Sequence, residues 1–132
     1  MTYWADANLL IRLVTKQPTE HFERARALLH RAEVERFQLH VHPLVVAECV
    51  YVLEGVYEYT REQLSQDLRT VLAMRVMDVR ELAVTLATLE AYAQSTLDFA
   101  DLFLVELARE SGQGIASFDR DFETLEIPWL EP

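Results

Sequence analysis

Five carboxylates stand where their type and spacing could do chemistry: Asp6, Glu48, Asp98, Asp101 and Asp119. Asp6 directly follows an extended stretch, Thr2–Ala5, and Asp119 directly follows another, Ile115–Phe118. Asp98 and Asp101 are three residues apart at the start of a helical pattern, so both face one side. Glu48 stands in Leu44–Leu53, a helix apolar nearly all round. Such a helix is expected to be buried, and there an ionised carboxylate is costly unless a cation pairs with it. Carboxylates that converge without matching Lys or Arg repel one another unless a divalent cation sits among them. Ligands that are all oxygen favour Mg²⁺ or Mn²⁺ over Zn²⁺. The five acids are therefore the candidate metal ligands. Each also has a purely structural alternative. Asp6 can cap a helix or close an Asx-turn, Asp98 can be an N-cap, Asp119 and Asp121 can be turn residues, and Glu48 can pair with Arg12.

These acids need a frame that brings them together. After Thr2–Ala5, a turn at Asp6-Ala7-Asn8 leads into a helix to Val14. A longer helix opens at Thr19 or Glu20 and runs to Glu35, with Phe22, Ala25, Leu28, Leu29 and Ala32 at helical spacing. Residues Phe37–His42 alternate apolar and polar, as a half-buried strand does. Pro43 suits the first position of a helix over Leu44–Tyr57. Thr60 with Gln63 forms a capping-box pattern that opens a helix to about Ala73. A strand at Val76–Val79, a helix at Glu81–Gln94 and a helix from Asp98 to the Gly112-Gln113-Gly114 stop follow. Ile115–Phe118 is a further strand, and Glu126–Leu130 a last extended piece. Strands alternating with helices predict an α/β fold with a parallel sheet covered on both faces. In such sheets ligands gather beyond the carboxyl ends of the strands, where Asp6 and Asp119 lie. Residues 1–132 fit one domain with one core.

Composition narrows the class. The net charge is −10, which argues against a general nucleic-acid binder. The charge is uneven: Met1–His42 holds six Lys/Arg against five Asp/Glu, and Pro43–Pro132 six against seventeen. Arg12, Lys16, Arg24, Arg26, Arg31 and Arg36 can line one side of an otherwise anionic molecule, or be solvated helix faces. No apolar run approaches the ~20 residues of a membrane span, and the opening segment has no basic n-region of a secretory signal. The lone Cys49 suits a reducing compartment, and a soluble cytoplasmic domain is expected. Cys49 itself reads as a small buried apolar residue. His40 and His42 alternate with Leu39 and Val41 and read as one strand face, not as a metal-free acid–base pair. A phospho-accepting signalling domain would need a Lys after its last strand, and the only Lys is Lys16.

Four motifs in order carry a resemblance: Asp6-Ala7-Asn8-Leu9-Leu10, Pro43 through Leu53, Asp98 through Leu104, and Ser117 through Phe122. Together they resemble a PIN domain, most closely the VapC-type toxins, over essentially the whole chain. The resemblance implies a Rossmann-like sheet and a Mg²⁺- or Mn²⁺-dependent endoribonuclease, the toxin of a type II toxin–antitoxin pair. It implies an RNA substrate, a cognate antitoxin that blocks the groove, and a homodimer. By position Asp6, Glu48, Asp101 and Asp119 match the family's acidic quartet, and Asp98 an acid present in some members. Asn8 and Ser117 match polar positions that orient the acids. The chain departs in having Ala7 and Ser117 where Thr is commoner, and in its low basicity. The implied chemistry is a metal-activated water attacking phosphorus, which leaves 5′-phosphate and 3′-hydroxyl ends. The competing readings are a non-catalytic protein-interaction module of the same fold and a DNA-directed nuclease. Tyr51, Tyr57, Tyr59 and Phe22 either complete the core or form a face for an antitoxin helix or a second copy.

Overall fold

The computed structural model describes residues 1–132. In chain order the elements are β1 (Tyr3–Trp4), α1 (Ala7–Thr15), α2 (Thr19–Glu35), β2 (Leu39–Val41), α3 (Pro43–Gly55) and α4 (Arg61–Leu72). They continue with β3 (Met77–Val79), α5 (Leu82–Tyr92), α6 (Phe99–Ser111), β4 (Ile115–Ala116), a 3₁₀ turn (Arg120–Thr124) and β5 (Trp129–Leu130). All strand pairs are parallel, and six helices flank them, as the alternation of strands and helices predicts. The sheet comes in two hydrogen-bonded pieces, β1-β2-β3 and β4-β5.

Local chemistry explains the helix starts. Asp6 accepts from the Leu9 N–H and caps α1. His42 Nδ1 accepts from the Leu44 N–H, and Pro43 takes the first helical position of α3. The expected capping box of Thr60 and Gln63 forms in both directions. The strands are shorter than the sequence alternation predicts: Thr2–Ala5 contracts to Tyr3–Trp4, Phe37–His42 to Leu39–Val41, and Ile115–Phe118 to Ile115–Ala116. Tyr3 and Trp4 pair with Leu39 and His40, the Ala5 N–H still donates to the His40 carbonyl, and Asp6 then turns the chain into α1, while β2 runs on to Val41.

The main core lies where α1, α3, α4 and α5 meet the first sheet, around Leu10, Leu53, Leu64, Leu68 and Leu89, all fully buried. The buried Ser65 hydroxyl donates to the Leu89 carbonyl and ties α4 to α5. A second, smaller core of Val105, Ala108, Ile115 and Phe122 joins α6 to β4 and the 3₁₀ turn. Trp4, His40 and Asp78 form a cross-strand row on one face of the first sheet, with His40 Nδ1 3.0 Å from Asp78 Oδ2. No helix is long and apolar enough to cross a membrane.

Gly114 is required where it stands. A Cβ there would meet the Pro128 carbonyl oxygen at 2.5 Å, beside the Ile115 N–H bond to that same oxygen. Gly114→Ala is expected to destabilise by about 1–3 kcal/mol, the usual range for overpacking. Thermal unfolding measures this, and an unchanged melting temperature would show that β4 and β5 are not held this tightly.

Candidate active site

Asp6 leaves β1 and Asp119 follows β4, so both lie at carboxyl ends of parallel strands. Both also serve as caps. Asp6 Oδ1 takes the Leu9 N–H at 3.0 Å, and Asp119 Oδ1 takes the Asp121 N–H at 2.9 Å. A carboxylate offers two oxygens with about four acceptor sites, so a cap bond to one oxygen leaves the other open. Both residues are exposed. Ser117 acts through Asp119, its hydroxyl accepting the Asp119 N–H at 2.9 Å. Asn8 is exposed in the first turn of α1, and the bond that orients Asp6 comes instead from the Leu9 backbone.

Asp98 occupies the N-cap position of α6, yet its side chain makes no capping bond. Asp98 thus caps α6 through its backbone, its carbonyl taking the Leu102 N–H, while its carboxylate remains uncommitted. Asp101, in the first turn of α6, is half-buried. Burial pushes its carboxyl above the ordinary aspartate value, and the charges of Asp98, Asp119 and Asp121 push it further. Three acids at the start of α6 and after β4 thus act on Asp101. Asp121, known from the sequence only as a possible turn residue, belongs to this group. Its place in Ser117-Phe118-Asp119-Arg120-Asp121, two residues beyond a candidate ligand, was the available signal.

Asp6 and Glu48 form a second group around Cys49. Burial pushes the Cys49 thiol up to about 12, with the Glu48 and Asp6 carboxylates adding to the effect. The thiol is fully buried and lies 3.7 Å from the Ala7 carbonyl, so it is a protonated packing residue. The expected burial of Glu48 is corrected. Glu48 is exposed, on an α3 face shared with Leu44 and Tyr51, which are 74% and 79% exposed. The other side of α3, with Val46, Cys49, Val50 and Leu53, meets the core. Nor does Arg12 pair with Glu48: its guanidinium donates to the Tyr57 hydroxyl and the Gln17 carbonyl.

No ion pair of the chain uses Asp6, Glu48, Asp98, Asp101 or Asp119. No three His, Cys, Asp or Glu side chains stand close enough together to hold a metal ion, so the five candidate acids are not drawn into one ligand set. The donor chemistry, all oxygen and mutually repelling, fits Mg²⁺ or Mn²⁺. His40 faces Asp78, whereas His42 lies beyond β2 and caps α3, so the expected shared strand face of His40 and His42 is corrected. Of the six basic residues of the first third, Arg26 and Arg31 pair with Glu23 and Glu35 at 2.6 Å, whereas Arg12, Lys16, Arg24 and Arg36 make no ion pair. Of the four aromatics set apart in the sequence, Tyr51 is exposed, Phe22 is half-buried, and Tyr57 and Tyr59 pack on the core.

Parallel strands and covering helices define an α/β domain, with Asp6 and Asp119 directly after strands. The chain belongs to the PIN domain family, whose model matches residues 3–127. Members of that family are generally nucleases. Among solved structures the chain is similar to one in the crystal structure of VapBC2 from Rickettsia felis bound to a DNA fragment from their promoter. The identity is 15%, the alignment covers 99% of this chain and 98% of that one, and the TM-score is 0.40. No curated protein matches the chain.

Proposed function

We propose that the protein is a Mg²⁺- or Mn²⁺-dependent endoribonuclease, the toxin of a type II toxin–antitoxin pair, acting in the cytoplasm as a single domain over residues 1–132. The observation that carries the proposal is the set of uncompensated acids. Asp98, Asp119 and Asp121 surround Asp101, with Asp6 and Glu48 beside Cys49, and none has a cationic partner. A scaffold gains nothing from such repulsion.

Asp6, Glu48, Asp101 and Asp119 are the residues assigned to hold the metal, with Asp98 as a further ligand. The bound metal supplies Lewis acidity and a water of lowered pKa. The chain's own part is orientation. The Leu9 N–H fixes Asp6, while the Asp121 N–H and the Ser117 hydroxyl fix Asp119. Asp101 holds a proton more readily than an ordinary aspartate when no cation is near. Asn8, at the rim with Arg12 and Arg24, is assigned to the approach of the RNA backbone. The proposed protein partners are an antitoxin and a second copy of the chain. The exposed apolar faces of α3 and α6, with Leu44, Tyr51 and Leu104, are the surface open to them.

The test is cleavage of a mixed RNA pool by purified, antitoxin-free protein with Mg²⁺ and with EDTA, followed by analysis of the new ends. Cutting in Mg²⁺ only, with 5′-phosphate and 3′-hydroxyl ends, is expected. Ends bearing 2′,3′-cyclic phosphate would refute the mechanism. No cutting by folded protein under any divalent metal would favour the interaction-module reading.

A further inference from the structure

Arg61 is the first residue of α4, directly after the Thr60 cap. A cation there opposes the helix dipole, which favours anions at a helix N-terminus. Its position is explained by what it reaches. Arg61 Nη1 donates to the Ser95 and Leu97 carbonyls, both at 2.8 Å. Its Nε lies 3.4 Å from Glu54 Oε1, and its guanidinium carbon sits 3.8 Å from the centroid of the Tyr92 ring. The Tyr92 hydroxyl donates in turn to Glu54. One side chain thereby joins the end of α3, the start of α4, the end of α5 and the segment that enters α6.

That segment, Ser95–Leu97, has no helix or strand of its own to satisfy its carbonyls. Ser95 Oγ accepts the Leu97 N–H at 3.0 Å, so the turn is closed from within as well. The next residue is Asp98, and Asp101 follows one turn later. Phe99 and Tyr92 meet in a T-shaped pair at 6.3 Å, so the same Tyr92 ring contacts both the Arg61 guanidinium and the first residue of α6. The Asp98 side chain makes no capping bond of its own. The direction of its carboxylate therefore depends on how the preceding segment is held.

We infer that Arg61, braced by Glu54 and Tyr92, is a positioning residue that sets the start of α6 and so aims Asp98 and Asp101 at the metal site. This rests on the proposed reading of those acids as metal ligands. Arg61 touches neither acid and acts through two carbonyls and a ring. A Lys would keep a charge near Glu54, but it lacks the planar fork that reaches two carbonyls while stacking on an aromatic face.

The test uses the full chain with Arg61→Gln, Arg61→Lys and Tyr92→Phe. Three quantities are read: amide exchange over residues 95–102, Mn²⁺ affinity by paramagnetic titration, and kcat and KM on RNA. Arg61→Gln is expected to speed exchange over 95–102 but not in α1 or α3. It should weaken Mn²⁺ binding and lower kcat each by about tenfold or more, the range for residues that orient ligands, with KM little changed. Arg61→Lys should fall between Arg61→Gln and wild type, and Tyr92→Phe should change the same quantities by less. If Arg61→Gln does not fold, Arg61→Lys and Tyr92→Phe carry the test. A folded variant with lower melting temperature but wild-type Mn²⁺ affinity and wild-type exchange at 95–102 would overturn the inference. Wild-type protein that binds no Mn²⁺ would instead overturn the metal-site reading, and the exchange measurement would still decide whether Arg61 holds α6.

Discussion

Asp101→Asn is expected to abolish Mg²⁺-dependent RNA cleavage and, at neutral pH, to raise the melting temperature of the metal-free protein. The opposite signs share one cause. The Asp101 carboxyl is half-buried and faces the charges of Asp98, Asp119 and Asp121, so its ionised form is disfavoured when no cation is present. Asparagine keeps the shape and removes the repulsion. It also removes a charged oxygen from the proposed site. Loss of residues that merely orient metal ligands costs about 10–100-fold, so loss of a ligand should exceed that range. Asp6→Asn makes a useful pair. Asn caps a helix about as well as Asp, so the α1 cap survives and stability should hold, while cleavage should again be lost. Were these acids only caps and turn residues, neither variant would change cleavage. Melting curves in EDTA beside initial cleavage rates in Mg²⁺ decide this. Either variant cutting at the wild-type rate would remove its residue from the site.

The residues that proved legible in the sequence are those whose role is local. Asp6 and Thr60 each cap a helix through a bond within three residues, and Pro43 fixes its own dihedral at a helix start. The order of strands and helices follows from alternation against helical spacing, and it is seen throughout. What the sequence hid depends on partners distant along the chain. Glu48 sits in an apolar helix, but whether such a helix is buried on every side depends on how many neighbours reach it. Here one face, with Leu44 and Tyr51, stays open. Arg12 looked available for Glu48 until Tyr57, 45 residues away, claimed it. Asp98 had the spacing of a cap but lacks the side-chain bond. Arg61 was invisible for the same reason. In the sequence it is one residue of a capping box, and only folding brings Ser95, Leu97 and Tyr92 to it.

The second large effect expected is a pH-dependent stabilisation by Mg²⁺. In EDTA, Asp101 has a carboxyl value above that of the unfolded chain, which is about 3.9 for an ordinary aspartate. Between those two values the folded protein binds more protons than the unfolded one. Stability therefore falls as pH rises through that window, and the loss is complete once pH exceeds the folded value. The difference between wild type and Asp101→Asn isolates this contribution, because the other acids are common to both proteins. Added Mg²⁺ should reverse the trend, since a cation among the acids favours their ionised forms. At a hundred times its dissociation constant, a ligand bound only to the folded state contributes about 2.7 kcal/mol. For a chain of this size that is roughly 10 °C in melting temperature. The Mg²⁺-induced shift should grow as pH rises past the folded value of Asp101, because proton and metal compete for the same oxygens. In Asp101→Asn the shift should be small and nearly flat with pH. Melting curves at a series of pH values, with and without Mg²⁺, measure all of these. A Mg²⁺ shift of equal size in both proteins would place the cation away from Asp101. A shift absent from wild type at every pH would leave the repulsion among Asp98, Asp101, Asp119 and Asp121 without the partner proposed for it.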